Sequence, residues 1–270
     1  MADGCAISAQ SGAAAGLVIT GTTQTALVQL AQSRIAARSV PASKKTRFVR
    51  CISAEEQKAK RLRKMKVNVI TSARLHVEEG TRGGFRGRWA MVTLTYREDV
   101  AWVANQVACF LDCVRKYAGR CGFVARYTWV LELTKRGRPH YHVLVWLPKG
   151  RTMPKPDKQG WWKHGMTKIE WARNAVGYLA KYASKGADYE LRSLPHGARM
   201  SGFGGLNKVS RIELRWWKSP LWMREAWPEV CDVGRLEGGG YVNRDTGEFL
   251  ASPWHVVFMG GAVCLLEVIQ

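Results

Sequence analysis

The chain has 270 residues, and its 46% hydrophobic fraction supports one sizeable core, which excludes a wholly disordered protein. Lysine and arginine number 42 against 21 aspartate and glutamate residues, so the formal net charge of +21 makes a polyanion, nucleic acid above all, the expected partner. Basic charge that serves only solubility is the alternative, but the 12 tryptophans favour nucleic acid because their rings can stack on unpaired bases.

Cysteine usage and hydropathy bear on the compartment. Seven cysteines without a Cys-x-x-Cys pair argue against a disulfide ladder and a zinc knuckle, so we expect a reducing compartment. The longest apolar run, residues 256–266, is short and interrupted by glycine, so it is not expected to span a bilayer. No basic-then-apolar leader opens the sequence. We therefore expect a soluble cytoplasmic protein with no membrane contact.

The composition divides the chain into four segments. Residues 1–43 are rich in Ala, Gly, Ser, Thr and Gln without an aromatic residue, which predicts a disordered tail. Residues 44–87 form a basic arm, with ten Lys or Arg between Lys44 and Lys66, that either contacts phosphates or is a solvated helix face. A single domain is expected over 88–220, followed by an extension of unknown role over 221–270.

Within that domain, β-branched and aromatic alternation indicates strands, and apolar residues at helical spacing indicate helices. The predicted elements are a strand over 89–96, a helix over 98–119, strands over 123–134 and 140–147 joined by a turn at 135–139, a loop over 148–165, a helix over 170–185 and a last strand over 211–217. This order predicts an α+β fold, in which an antiparallel sheet of about five strands is covered on one face by helices in the ferredoxin-like, split βαβ manner. The glycine-rich stretch 202–208 lacks the spacing of a phosphate loop and is predicted to be a flexible turn.

His140 and His142 are two apart on a predicted strand, so both imidazoles lie on one face of the sheet. With the turn at 135–139, Thr134 pairs with His140, and Glu132 lies directly across from His142. Two imidazoles and a carboxylate would accept Mg²⁺ or Mn²⁺, and zinc is also compatible. The alternative is one core histidine and one solvent-facing histidine, which is the better interpretation of an isolated His-x-His pattern.

Four reactive side chains are gathered on one face of the helix predicted over 170–185. Tyr178 and Tyr182 are four apart, and Lys181 and Lys185 each follow a tyrosine by three. A phenol is a poor nucleophile at its usual pKa near 10, but nearby ammonium groups favour the phenolate and hold a phosphodiester. The alternative is a helix that packs two tyrosines on the sheet and leaves the lysines in solvent.

Basic and aromatic residues in the predicted turn and loop are candidate DNA contacts. They are Arg136, Arg138, Trp161, Trp162 and Lys163. The pair Trp216 and Trp217 is a weaker candidate, because adjacent tryptophans often divide between core and surface.

Together these motifs resemble the rolling-circle replication initiators of the HUH endonuclease superfamily, the phage and plasmid Rep proteins. The resemblance covers about Trp89 to Lys185. The run 91–95 resembles the first motif, 139–143 resembles the metal-binding motif with Glu132 as the acidic third ligand, and 178–185 resembles the two-tyrosine form of the third motif.

The resemblance implies a replication initiator that nicks and rejoins single-stranded origin DNA through a covalent 5′-phosphotyrosine, with a divalent metal held by Glu132, His140 and His142. It implies Tyr178 and Tyr182 as nucleophiles, and a host helicase and DNA polymerase as partners, since no helicase domain follows. A conjugative relaxase is not indicated, because its nucleophile precedes the histidine cluster. The alternatives are a single-strand transposase of the same superfamily and a non-enzymatic binder of single-stranded nucleic acid.

Overall fold

A computed structural model of the chain describes residues 45–134, 136–184, 194, 196–259 and 262–269. The predicted tail over 1–43 and Lys185 lie outside the described residues. The described chain divides into two compact units. One comprises the residues up to Cys51 together with those from Pro253 onward, and the other is Ile52–Ser252.

The larger unit is built on a five-stranded antiparallel sheet, which confirms the predicted α+β class. Its strands in chain order are β2 (Gly87–Thr95), β3 (Arg126–Leu133), β4 (Pro139–Pro148), β5 (Thr167–Ala172) and β6 (Ser201–Gly204). They lie side by side in the order β5-β2-β4-β3-β6. The predicted hairpin of β3 and β4 is present, and β4 is the central strand.

Helices cover both faces of the sheet, whereas the sequence predicted helices on one face. They are α1 (Ala54–Arg82), α2 (Gln106–Arg120) and α3 (Ala175–Ser184). On one face, α2 packs Phe110 and Val114 against Val143 of β4. On the other face, α1 and α3 pack against Met91, Val130 and Leu144. Apolar side chains point both ways from β4, so both faces are removed from water.

Regular structure begins well before Arg88. The 29-residue α1 lies where the basic arm was expected, and a reciprocal capping box between Ser53 and Glu56 fixes its start. Val69 and Ala73 are fully buried against the sheet, while the basic residues near the start of the helix are largely exposed. The helix therefore has one packed side and one charged side.

Three predicted elements are wrong. Residues 167–172, partly assigned to a helix, form β5, and the expected flexible turn over 202–208 contains strand β6. Residues Lys208–Trp217, expected to hold a strand, form helix α4, whose first turn is capped by the Asn207 side chain. A polar cap immediately before residues of helical spacing outweighed the β-propensity of the paired tryptophans.

The rest of the larger unit holds helix α5 (Leu221–Ala226) and a three-stranded sheet of β7 (Val233–Arg235), β8 (Tyr241–Asn243) and β9 (Phe249–Leu250). The smaller unit is a sheet of β1 (Lys45–Ile52), β10 (Trp254–Met259) and β11 (Ala262–Ile269), in the order β1-β11-β10. A disulfide joins Cys51 to Cys264, which the cysteine pattern did not predict. No helix among the described residues is long and apolar enough to cross a membrane.

Candidate functional site

The β3–β4 hairpin brings the predicted metal ligands together, in a different register from the one expected. Glu132 pairs with His140, and Val130 pairs with His142. The predicted pairs of Thr134 with His140 and of Glu132 with His142 are therefore wrong by two residues. Because the shift is even, Glu132, His140 and His142 still share one face of the sheet.

His142 is held on both ring nitrogens and is almost fully buried. Its Nε2 donates to Oε2 of Glu132 at 2.7 Å, a diagonal contact across the hairpin. Its Nδ1 lies 3.3 Å from the hydroxyl of Thr93, the residue beside it on β2. These two contacts fix the ring orientation.

His140 is half-buried and lies directly across from Glu132. Burial lowers the pKa of His140, and the Glu132 carboxylate partly offsets this. The imidazole is therefore neutral at pH 7 and keeps a lone pair for a cation.

The three side chains have the chemistry of a divalent-metal site but are not gathered around one point. Among the described residues, no group of three or more His, Cys, Asp or Glu side chains is arranged to hold a metal ion. Glu132 instead contacts His142 directly. A cation would take the place of this hydrogen bond, since the same two atoms are metal donors.

Helix α3 places the tyrosines over this face. The ring of Tyr182 stacks on that of His142, with centroids 3.6 Å apart and planes 10° apart. Tyr178, one turn earlier, is 40% exposed, and Lys181 is exposed. Leu179 and Ala183 anchor the helix in the core on its other side. The predicted fourth member, Lys185, lies outside the described residues.

Lys168 is a site residue that the sequence did not indicate. It lies on β5 beside Thr93, which itself lies beside His142, so the three form a row across the sheet. A hydrogen bond to Glu170 raises the pKa of Lys168, and the nearby phenols of Tyr182 and Tyr178 raise it further. An ammonium group thus lies close to both candidate nucleophiles.

The candidate DNA contacts divide between surface and core. Arg136 and Lys163 are exposed, and Arg138 lies 3.5 Å from Glu98. Trp161 is partly buried against Tyr117.

Trp162 is a correction to the predicted DNA contacts. It is fully buried, and its indole N–H donates to the carbonyl of Thr95 at 3.0 Å. It therefore fills the core beneath the sheet and is not available to stack on a base.

One comparison with known proteins bears on this site. A family model described as a replication-associated protein of the ORF2 type matches residues 89–187. No curated protein matches the chain, and no solved structure does. The matched span holds β2 to α3 and therefore all the residues that meet around His142. The match supports a replication-associated protein with a role in the initiation of DNA replication.

Proposed function

We propose that the protein starts and ends rolling-circle replication by nicking and rejoining single-stranded origin DNA through a covalent 5′-phosphotyrosine. The observation that carries this proposal is the stacking of Tyr182 on His142, which is itself bonded to Glu132. A candidate nucleophile and candidate metal ligands from separate elements converge there. Structural packing alone does not call for a buried carboxylate, an imidazole and a phenol in mutual contact.

Glu132, His140 and His142 would hold Mg²⁺ or Mn²⁺, which suit imidazole and carboxylate donors that leave positions open. When bound, the cation would withdraw charge from the phosphate under attack. The neutral state of His140 favours such binding because a protonated imidazole has no lone pair to donate.

The remaining chemistry belongs to the tyrosines and their basic neighbours. The phenolic oxygen of Tyr182 or Tyr178 forms a bond to phosphorus, and the bond from phosphorus to the 3′ oxygen breaks. The phenolic proton passes to solvent, and the departing 3′ oxygen takes up a proton to become a hydroxyl that can prime synthesis. Lys168, near both phenols, favours the phenolate, and Lys181 and Lys185 would steady the phosphate charge.

Two tyrosines one turn apart would allow the reaction to run twice. One would keep the 5′ end of the first break while the other cleaves the displaced strand, and the two ends would then be joined into a circle. A host helicase and DNA polymerase would open and copy the template, and exposed Arg136 and Lys163 would contact the DNA backbone.

The test is to incubate the protein with a random-sequence single-stranded DNA library and Mn²⁺, with EDTA as the blank. The library is labelled at the 3′ end in one arm and at the 5′ end in the other. The mechanism predicts that the 3′ label travels with the protein through SDS, whereas the 5′ label is released on a shortened strand with a 3′-hydroxyl. Sequencing the attached strands then gives the origin sequence.

His142→Ala is expected to abolish the SDS-resistant adduct and to leave salt-sensitive DNA binding in place. His255→Ala, a histidine of the smaller unit, is the matched control and should retain the adduct. A non-enzymatic binder would shift the DNA in a gel but attach no label in either arm.

A further inference from the structure

A cavity of about 700 Å³ opens at the β6 edge of the central sheet. We call it the edge cavity. Its wall includes Asn68 of α1, Arg115 of α2, Trp129 of β3, Phe203 of β6, Arg199 and Lys218. None of the residues proposed for nicking lines it. A space of this size is in the range of small-ligand sites.

Asn68 gives the cavity an unmatched polar atom. The residue is 7% exposed, and its Nδ2 donates to the Ser201 hydroxyl at 3.1 Å. Its Oδ1 is buried without a hydrogen-bond partner. Leaving such an acceptor unpaired costs about 1–3 kcal/mol, so a ligand N–H at this point would be favoured. Nucleobases present ring N–H and amino donors of this kind.

Three cations line the same space. Arg115 pairs with Asp112 and donates to the Tyr127 hydroxyl. Among the residues that the structure describes, neither Arg199 nor Lys218 has an ion-pair partner. Burial lowers the pKa of Lys218, and the positive charge of Lys64 lowers it further. An anion beside Lys218 would relieve both effects.

Glycine in β6 keeps an aromatic wall in place. Gly202 lies opposite Trp129 in the β3–β6 pairing, and a Cβ at Gly202 would come within 2.6 Å of the indole nitrogen. The absence of a side chain lets the Trp129 ring lie over the edge strand. Trp129 and Phe203 thus supply flat surfaces beside the cations and the free amide oxygen.

We propose that the edge cavity binds one phosphorylated nucleobase, with Asn68 reading the base edge, the aromatic wall contacting the base, and Arg199 and Lys218 holding the phosphate. The nucleobase comes either from a nucleotide within a DNA strand or from a free nucleotide. The strand-borne form deepens the DNA-binding part of the proposed function, but neither form needs the nicking chemistry.

The test has two arms, and both use the full chain in EDTA so that strand cleavage plays no part. In the first, the four deoxynucleoside monophosphates are titrated by equilibrium dialysis. In the second, short single strands that carry an iodinated uracil are photocrosslinked, and the modified peptides are mapped by mass spectrometry. Saturable binding in the first arm identifies a free nucleotide as ligand. Crosslinks to Trp129, Tyr127 or Phe203 without binding of monophosphates identify a nucleotide within the strand.

Matched variants separate the cavity from general charge. Lys218→Gln should weaken the positive arm by about tenfold, as expected for the loss of one charged hydrogen bond. Lys208→Gln removes an exposed charge from the other end of α4 and should leave that arm unchanged. Equal losses in the two variants would overturn the proposal, because they would indicate binding to the basic surface at large.

Asn68→Leu and Ser201→Ala form the second pair. Both break the hydrogen bond between these residues, but only Asn68→Leu removes the free oxygen. The proposal expects Asn68→Leu alone to weaken binding and to change the preference among the four bases. No saturable binding in the first arm together with no crosslink to the cavity wall in the second would overturn it. A protein that fails to nick DNA would still give the expected result in both arms.

Discussion

The rings of His142 and Tyr182 lie face to face, 3.6 Å apart between centroids. This contact joins the central strand of the sheet to a helix that follows it by about thirty residues. It places a phenol beside an imidazole whose orientation is fixed by Glu132. The geometry makes Glu132 the residue on which both the ring orientation and any bound cation depend.

Glu132→Gln is expected to lower the affinity for Mn²⁺ by at least about tenfold, because the variant keeps the size of the side chain but loses its charge. Isothermal titration calorimetry or the electron paramagnetic resonance signal of free Mn²⁺ measures this without any DNA. Glu98→Gln, on an exposed carboxylate, is the control. Unchanged Mn²⁺ affinity in Glu132→Gln would remove this residue from the metal site.

Lys168→Gln should slow formation of the covalent adduct, by roughly threefold to tenfold, and leave DNA binding nearly unchanged. The lysine is fully exposed, so its effect on the phenols is screened by solvent and should shrink further at high salt. Single-turnover adduct formation at two salt concentrations measures both effects. The control is Lys158→Gln, in the exposed loop before β5. A Lys168→Gln variant as fast as the wild type at low salt would contradict the assignment.

The sequence predicted the side of the sheet on which the histidines lie, but not their partners. Side chains alternate with a period of two, so His140 and His142 must share a face whatever the turn length. A slip of two residues preserves this parity, and the pattern therefore did not distinguish Thr134 from Glu132 as the neighbour of His140. The sheet and its helix α3 were predictable for the same reason, since both depend on periodicity.

Other features depended on contacts that periodicity does not encode. Lys168 was missed because 167–172 was partly assigned to a helix, and only pairing with β2 makes it a strand. Trp162 was assigned to DNA because a tryptophan beside lysine looks the same in sequence whether it is buried or exposed. The Cys51–Cys264 disulfide joins residues 213 apart, a distance over which cysteine spacing carries no information.

Gly202→Val is expected to destabilise the larger unit by about 1–3 kcal/mol, because the new side chain would overlap the Trp129 ring. Urea denaturation monitored by circular dichroism measures this loss. Gly119→Ala is the matched control, because nothing lies within 4 Å of its added methyl group, and alanine favours the helix. Equal stability of Gly202→Val and the wild type would mean that Trp129 does not cover β6.

The buried His76 should make the protein less stable in mild acid. Burial and the nearby Arg126 lower the pKa of His76 to about 4, and its Nδ1 has no hydrogen-bond partner. Between about pH 6.5 and 4 the unfolded chain therefore binds the proton that the folded chain refuses, so stability falls as the pH drops through this window. The loss is roughly 3 kcal/mol at its lower end.

His76→Gln should flatten this dependence, because glutamine does not titrate and its amide can still donate to the Tyr127 carbonyl. Unfolding free energies of both proteins at neutral pH and near the lower end of the window provide the comparison. His255→Ala is the control and should keep the slope of the wild type. An identical slope in His76→Gln would show that other groups account for the acid sensitivity.

The most direct measurement is to locate the DNA attachment in the trapped adduct by mass spectrometry of its proteolytic peptides. The account predicts a nucleotide on the oxygen of Tyr182 or Tyr178, and no adduct in the Tyr178→Phe/Tyr182→Phe double variant, which should still bind single-stranded DNA. An adduct on any other residue, or an undiminished adduct in the double variant, would contradict the proposed site.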